Sequence, residues 1–226
     1  GLFLPGTNTT PPAVEALPTF TFDVNNYPAL QCFPSIGTCG ATNTSATAVT
    51  AFNAYVLADR TSLDGEFAVW QASPSQMTRI SLDGITLGGD LTIVTNAPVD
   101  FGNTTTISLA PGVTSAELIV VSLYVPPVNT TCDTNGGECS IYAQNSVVFD
   151  DGDAADPDDG IAALLYTPGK MAFKNTGGTV SNGEGALYAG GMDLKNGFEV
   201  EYNGRVERTL GFGVGLEQTL WQELNT

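Results

Sequence analysis

The densest concentration of chemistry in this chain is the stretch DDGDAADPDDG, where Asp150, Asp151, Asp153, Asp156, Asp158 and Asp159 set six carboxylates within ten residues. Unneutralised, these charges repel one another. Calcium takes six to eight oxygens from carboxylates and carbonyls on a flexible loop, and is the ion such a stretch suits. The spacing departs from the EF-hand loop, because no Glu stands at the twelfth position and Gly152 is displaced. The alternative is a solvated acidic loop without metal. Asp133 and Glu138 form a smaller acidic pair, of a kind ordinary in turns.

The chain contains no histidine, which removes Ser-His-Asp and Cys-His catalysis and every His-containing metal centre. A pair of facing carboxylates, as in glycoside hydrolysis, is the remaining common catalytic option. Beside such acids, β-helix enzymes acting on acidic polysaccharides generally carry a basic group, and no Lys or Arg lies between Arg79 and Lys170. A polysaccharide-cleaving enzyme is therefore the third reading, behind two without catalysis. Gly-rich pieces such as GITLGG, LYAGG and GFGVG lack the Lys-Ser/Thr of a phosphate loop and read as turns between strands.

Four cysteines fall into two matched pairs, Cys32 with Cys39 in CFPSIGTC and Cys132 with Cys139 in CDTNGGEC, each enclosing six turn-forming residues. Two local disulfides are the natural reading, with a zinc site as the competing one. Disulfides imply an oxidising, extracytoplasmic compartment. The formal charge of −17 disfavours nucleic acid and anionic lipid, whose binding relies on Lys and Arg. No apolar run is long enough to span a bilayer, so any export signal or anchor is expected to have been removed. The sequons at Asn8, Asn43, Asn103 and Asn129 would accept glycans in a host that has the machinery.

The elements that must position these groups read as short strands. Segment SATAVTAFNAYVLADR fits a short helix with Val49, Phe52, Tyr55 and Val56 on one face. From Phe67 onward, apolar runs such as ITLGGDLTIVTN, AELIVVSLYV and IAALLYT are bounded by Gly, Pro, Asn or Asp. Val94, Leu118, Tyr142, Tyr166 and Tyr188 are spaced by 24, 24, 24 and 22 residues, and Phe101, Val125, Phe149 and Phe173 each follow seven residues after the first four. That period suits a parallel β-helix of about four to five coils, each burying its apolar face on the next. The alternative is an antiparallel β-sandwich, whose turns also recur regularly.

Residues 1–20 then read as a linker and 21–226 as one elongated β domain, with 48–79 as an N-terminal cap, 80–204 as coils and 205–226 as a C-terminal cap. Leu216, Leu220, Trp221 and Leu224 would close the last coil. Tyr142, Tyr166 and Tyr188 recur at coil spacing and read as core rather than as a sugar-stacking platform. Trp70 and Trp221 lie outside the repeat and suit cap packing or contact with a neighbouring protein.

The stretches LLYTPGKMAFKN and GEGALYAGGMDLKNGFEVEYNGRVERTLGFG resemble the C-terminal region of bacterial prepilin-like and pilus-assembly-associated surface proteins. There, repeats of the form "alYapG.v.l.N" end in "v.Yd.Rv". The matching residues are Tyr166, Pro168 and Gly169, then Leu187 to Gly190, then Glu201, Tyr202 and Arg205. The resemblance spans about Leu91 to Gly213 and implies a β-solenoid displayed outside the cell among other pilus or surface subunits. The chain departs from a full prepilin in lacking the hydrophobic N-terminal helix, which reads as a trimmed ectodomain. A structural surface module is the first expectation, and a glycan-binding or adhesive module the second.

Overall fold

The computed structural model describes residues 19–33, 43–103, 105–128, 130–132, 138–144, 147–149, 160–174, 181–195 and 198–202. Strand β1 (Gln31–Phe33) precedes helix α1 (Ala48–Ala58). Strands β2 (Leu63–Val69), β3 (Ile80–Ser81), β4 (Thr86–Thr95), β5 (Val99–Asp100), β6 (Thr105–Leu109) and β7 (Ser115–Ser122) follow. Then come β8 (Ile141–Ala143), β9 (Val147–Phe149), β10 (Gly160–Lys174), β11 (Ser181–Lys195) and β12 (Phe198–Tyr202). Every pairing described between these strands is parallel. Parallel neighbours need a connection that carries the chain back to its starting side, because a hairpin turn cannot join them. The result is a curled parallel sheet rather than the antiparallel sandwich.

The long run of the sheet is β1-β2-β4-β7-β10-β11-β12, and a second arm, β3-β5-β8, joins the later part of β10 through Ile141↔Met171 and Ala143↔Phe173. Strands β4 and β7 carry apolar residues on both faces, which is what a parallel strand covered on both sides requires. On the inner face Phe67, Ile93, Val120, Leu165 and Leu187 are successive register partners. The first four are fully buried. On the outer face the next column is Ala68, Val94, Val121, Tyr166 and Tyr188.

Residues 19–30 cover that outer column. Phe22 stands edge-on to Trp70 at 5.3 Å and stacks with Tyr27 at 5.6 Å, while Phe20 tilts against Tyr166 at 5.7 Å. The Phe20 amide donates to Tyr166 Oη at 3.2 Å, and the Ala29 amide donates to Glu66 Oε2 at 3.0 Å. This strap crosses the strands from β10 back to β2 before the chain enters β1.

At the bends, small hydroxyls replace the apolar columns. Thr95 Oγ1 donates to the Val69 carbonyl at 2.8 Å and accepts from the Ala97 amide at 3.0 Å. Ser122 Oγ donates to the Ala97 carbonyl at 2.9 Å, and Thr167 Oγ1 accepts from the Gly169 amide at 3.0 Å. All three hydroxyl residues are fully buried, so these bonds meet backbone groups that water cannot reach.

Helix α1 forms where the spacing predicts one. Val49, Phe52 and Val56 are buried against the start of the sheet, and Tyr55 packs beside them. Asn53 turns its amide to the edge of β3, donating to the Arg79 carbonyl and accepting from the Ser81 amide, both at 3.0 Å. A strand edge that would otherwise be open to pairing is thereby occupied.

The spacing read from the sequence locates only part of the register. Tyr166 and Tyr188 are partners, and Val94 shares their column through Val121, but Leu118 pairs with Leu91 and Ala163 on the opposite face, and Tyr142 lies in the second arm. The cause is unequal connections: residues 96–114, with β5 and β6, join β4 to β7, whereas the longer stretch 123–159, with β8 and β9, joins β7 to β10. Phe101 contacts both Phe149 and Phe173, at 6.4 and 6.3 Å, but Val125 is 61% exposed. Strand β2 already lies along β4, so the sheet runs upstream of residue 80. Tyr142 and Tyr166 are buried as core residues, with Tyr166 on the outer face beneath the strap.

Candidate functional site: a cavity beside a disulfide

A depression of about 340 Å³ lies where β10 and β11 pass the segment Thr130–Cys132. Lys170 and Met171 come from β10, Gly191 to Asp193 from β11, and Thr130 to Cys132 from that segment. The paired strands fix the first two sets, since Lys170 and Gly191 are register partners just after an irregularity that follows Thr167. Cys132 and Cys139 are disulfide-bonded, with Cα atoms 4.9 Å apart. Lys170 Nζ donates to the Thr130 carbonyl at 2.8 Å, which ties the segment before Cys132 to the strand.

Behind the disulfide, Ser140 is fully buried, donates to the Tyr124 carbonyl at 2.6 Å and accepts from the Lys170 amide at 3.1 Å. Gln76 donates to the Cys139 carbonyl. Burial raises the Tyr124 phenol above its usual pKa, and the Glu138 carboxylate, by its charge and by accepting a hydrogen bond from the phenol, pushes in the same direction. Glu138 Oε2 is enclosed and has no hydrogen-bond partner. The cavity is lined by the Lys170 ammonium, already engaged by the Thr130 carbonyl, and by the Asp193 carboxylate, beside Met192 and Gly191. Such a surface can hold a polar group by hydrogen bonds.

A second depression, about 260 Å³, lies between α1 and β3 and is lined by Asn53, Leu57, Arg60 and Asp83 among others. Its guanidinium is engaged by backbone, with Nε donating to the Gly84 carbonyl at 2.9 Å and Nη2 to the Asp83 carbonyl at 2.7 Å. Arg79 pairs with Asp100 at 2.9 Å and donates from Nε to the Gln76 carbonyl.

The residues singled out in the sequence are dispersed. Asp150, Asp151, Asp153, Asp156, Asp158 and Asp159 lie outside the described residues, as do Asp133, Cys39 and Trp221. Cys32 is disulfide-bonded. Trp70 is 2% exposed and belongs to the outer-face cluster, with its Nε1 unpartnered. Among the described residues no three acidic or cysteine side chains cluster as a metal site, and no helix is long and apolar enough to cross a membrane. Sequence reasoning did not single out Ser140 or Lys170; the signal at hand was their chemistry, a hydroxyl directly after Cys139 and the first cation after a long anionic stretch.

No family model, no curated protein and no solved structure matches this chain.

Proposed function

We propose that the chain is a β-solenoid module exported from the cell and displayed at its surface, where it acts as structure rather than as a catalyst. The observation that carries this reading is the combination of parallel strands in stacked register with disulfide-bonded cysteines. Parallel stacking makes a rigid, elongated body suited to spacing or display, and disulfides persist in oxidising compartments. The sequence resemblance to pilus-associated surface proteins points the same way, and the strong negative charge argues for protein or glycan partners over nucleic acid or lipid. Burial of Tyr124, Tyr142 and Tyr166 withholds those rings from sugar stacking, which favours the structural role over a glycan-binding one.

Calcium bound by Asp150 to Asp159 belongs to the same reading. A cation held only by the folded chain raises its unfolding temperature. Excess calcium is expected to raise the melting temperature relative to chelator, and the double change Asp151→Asn, Asp153→Asn to abolish that rise. Equal melting in calcium and chelator removes the metal from the account.

Brief protease treatment of intact cells that produce the protein, followed by shearing of surface appendages, tests display. The expected result is loss of the chain from intact cells, with the sheared fraction enriched in it before digestion. Protection until the cells are lysed would overturn the proposal.

A further inference from the structure

The sheet separates two apolar clusters that are covered in different ways. The inner one, with Phe67, Ile93, Val120 and Leu165, is enclosed by the curl of the strands and by Phe52 of α1. The outer one holds Trp70, Val94, Val121 and Tyr166 together with Tyr27 of the strap, and Phe20, Phe22 and Leu30 pack against it. Within the strap Tyr27 is buried and those three side chains are half-buried, while the remaining residues from Thr19 to Ala29 are exposed. The outer cluster is thus closed by a few rings laid across the strands, and the inner one by the strands themselves.

We propose that the strap is a lid, which opens as a unit while the strands and the inner core stay folded and so uncovers the strip formed by Trp70, Val94, Val121 and Tyr166. Three observations carry this. The strap's backbone bonds are local turns, Asn26 to Asp23, Tyr27 to Val24 and Leu30 to Tyr27, and its bonds to the sheet end on side-chain oxygens, Tyr166 Oη and Glu66 Oε2. Opening it therefore breaks no strand ladder. Trp70 is 2% exposed and its indole Nε1 has no partner, so the closed lid holds a donor away from water that opening would hydrate. The Trp70 backbone is meanwhile fixed from the sheet side, its amide donating to the Phe33 carbonyl at 2.9 Å and its carbonyl accepting from the Ser45 amide at 3.0 Å. A segment with few buried contacts and no ladder opens more readily than the strands beneath it. This proposal rests on the packing of the strap and stands whether or not the chain is displayed at a cell surface.

Trp70 reports the opening. In the Trp221→Phe chain it is the one remaining tryptophan, and urea titration is followed there by its emission and iodide quenching and by the circular dichroism of the strands. Trp70 is expected to shift to the red and become quenchable at lower urea than the strand signal is lost. Phe22→Ala, which removes the ring that stands edge-on to Trp70, is expected to move the first transition lower and leave the second in place. Amide exchange of the unaltered chain gives a second measure, with the Phe20 and Ala29 amides protected about tenfold less, or weaker still, than those of β4 and β7. Coincident loss of the Trp70 and strand signals overturns the proposal, as does a Phe22→Ala chain in which both transitions fall together or the strands do not form. Strap amides that exchange as slowly as those of β4 and β7 overturn it independently of any substitution.

Discussion

At the scale of single residues, the closeness of successive strands leaves positions that admit only hydrogen. A methyl at Gly169 would meet Ser140 Oγ and lie 2.6 Å from the Tyr124 carbonyl oxygen, in the same joint that Ser140 fills with hydrogen bonds. Overpacking of a filled site costs about 1–3 kcal/mol, and loss of a buried hydrogen bond adds to that. Gly169→Ala is accordingly expected to lower unfolding stability by about 3 kcal/mol in urea titration. Gly112, where an added methyl meets nothing within 4 Å but φ is +89°, provides a control in which any cost comes from the backbone alone.

A second residue-scale expectation concerns alkaline pH. The Tyr27 phenol is pushed up to about 12, first by burial between the strap and the outer face of the sheet and then by Glu66. Its folded pKa lies above the unfolded value of about 10, so the associated stability is complete below pH 10 and is lost as the pH rises through 12. Unfolding free energy should therefore fall across that window by roughly 2–3 kcal/mol. Tyr27→Phe, which cannot ionise, should remove this part of the decline; an unchanged alkaline limb would show that Tyr27 is not held in the strap.

At the scale of elements, helix and staple carry separable loads. Phe52 is fully buried and touches Phe33 and Phe67, with ring centroids 5.2 and 5.3 Å apart. Truncating such a ring costs about 3–5 kcal/mol, so Phe52→Ala should loosen the α1 end and lower the melting temperature steeply. Changing both Cys132 and Cys139 to Ser releases a short loop, worth about 2.5 kcal/mol by chain-entropy arithmetic. That variant should remain folded, because Lys170, Gln76 and Ser140 still bind the loop's ends. Helix α1 was legible in the sequence because Val49, Phe52 and Val56 repeat at helical spacing over a stretch free of Gly and Pro. The strap was not, since Phe20, Phe22 and Tyr27 stand among Thr, Pro and Asn without period, and only the outer face of a distant sheet gives them a partner.

At the scale of the whole molecule, the apolar runs revealed strands and their turns, but the register depended on lengths that no local pattern encodes. By spacing, Leu118 is the equivalent of Tyr166. In three dimensions it is Val121 that meets Tyr166, because successive partners Val94, Val121 and Tyr166 in that column lie 27 and 45 residues apart and not at a constant 24. Outer-face columns were likewise hidden: alternation along β7 and β10 is apolar on both sides, so sequence alone does not say which face is interior. The chemistry of the cavity beside Cys132 was legible only as a cysteine spacing, since Lys170 arrives there through the strand pairing and not through sequence proximity. Thiol mapping of the protein isolated from the cells that make it, alkylated at lysis before any reduction, tests the central claim most directly. Linked peptides joining Cys132 to Cys139 and Cys32 to Cys39, with no alkylated cysteine, are expected; four alkylated thiols in the native protein would overturn an extracytoplasmic, disulfide-stapled module.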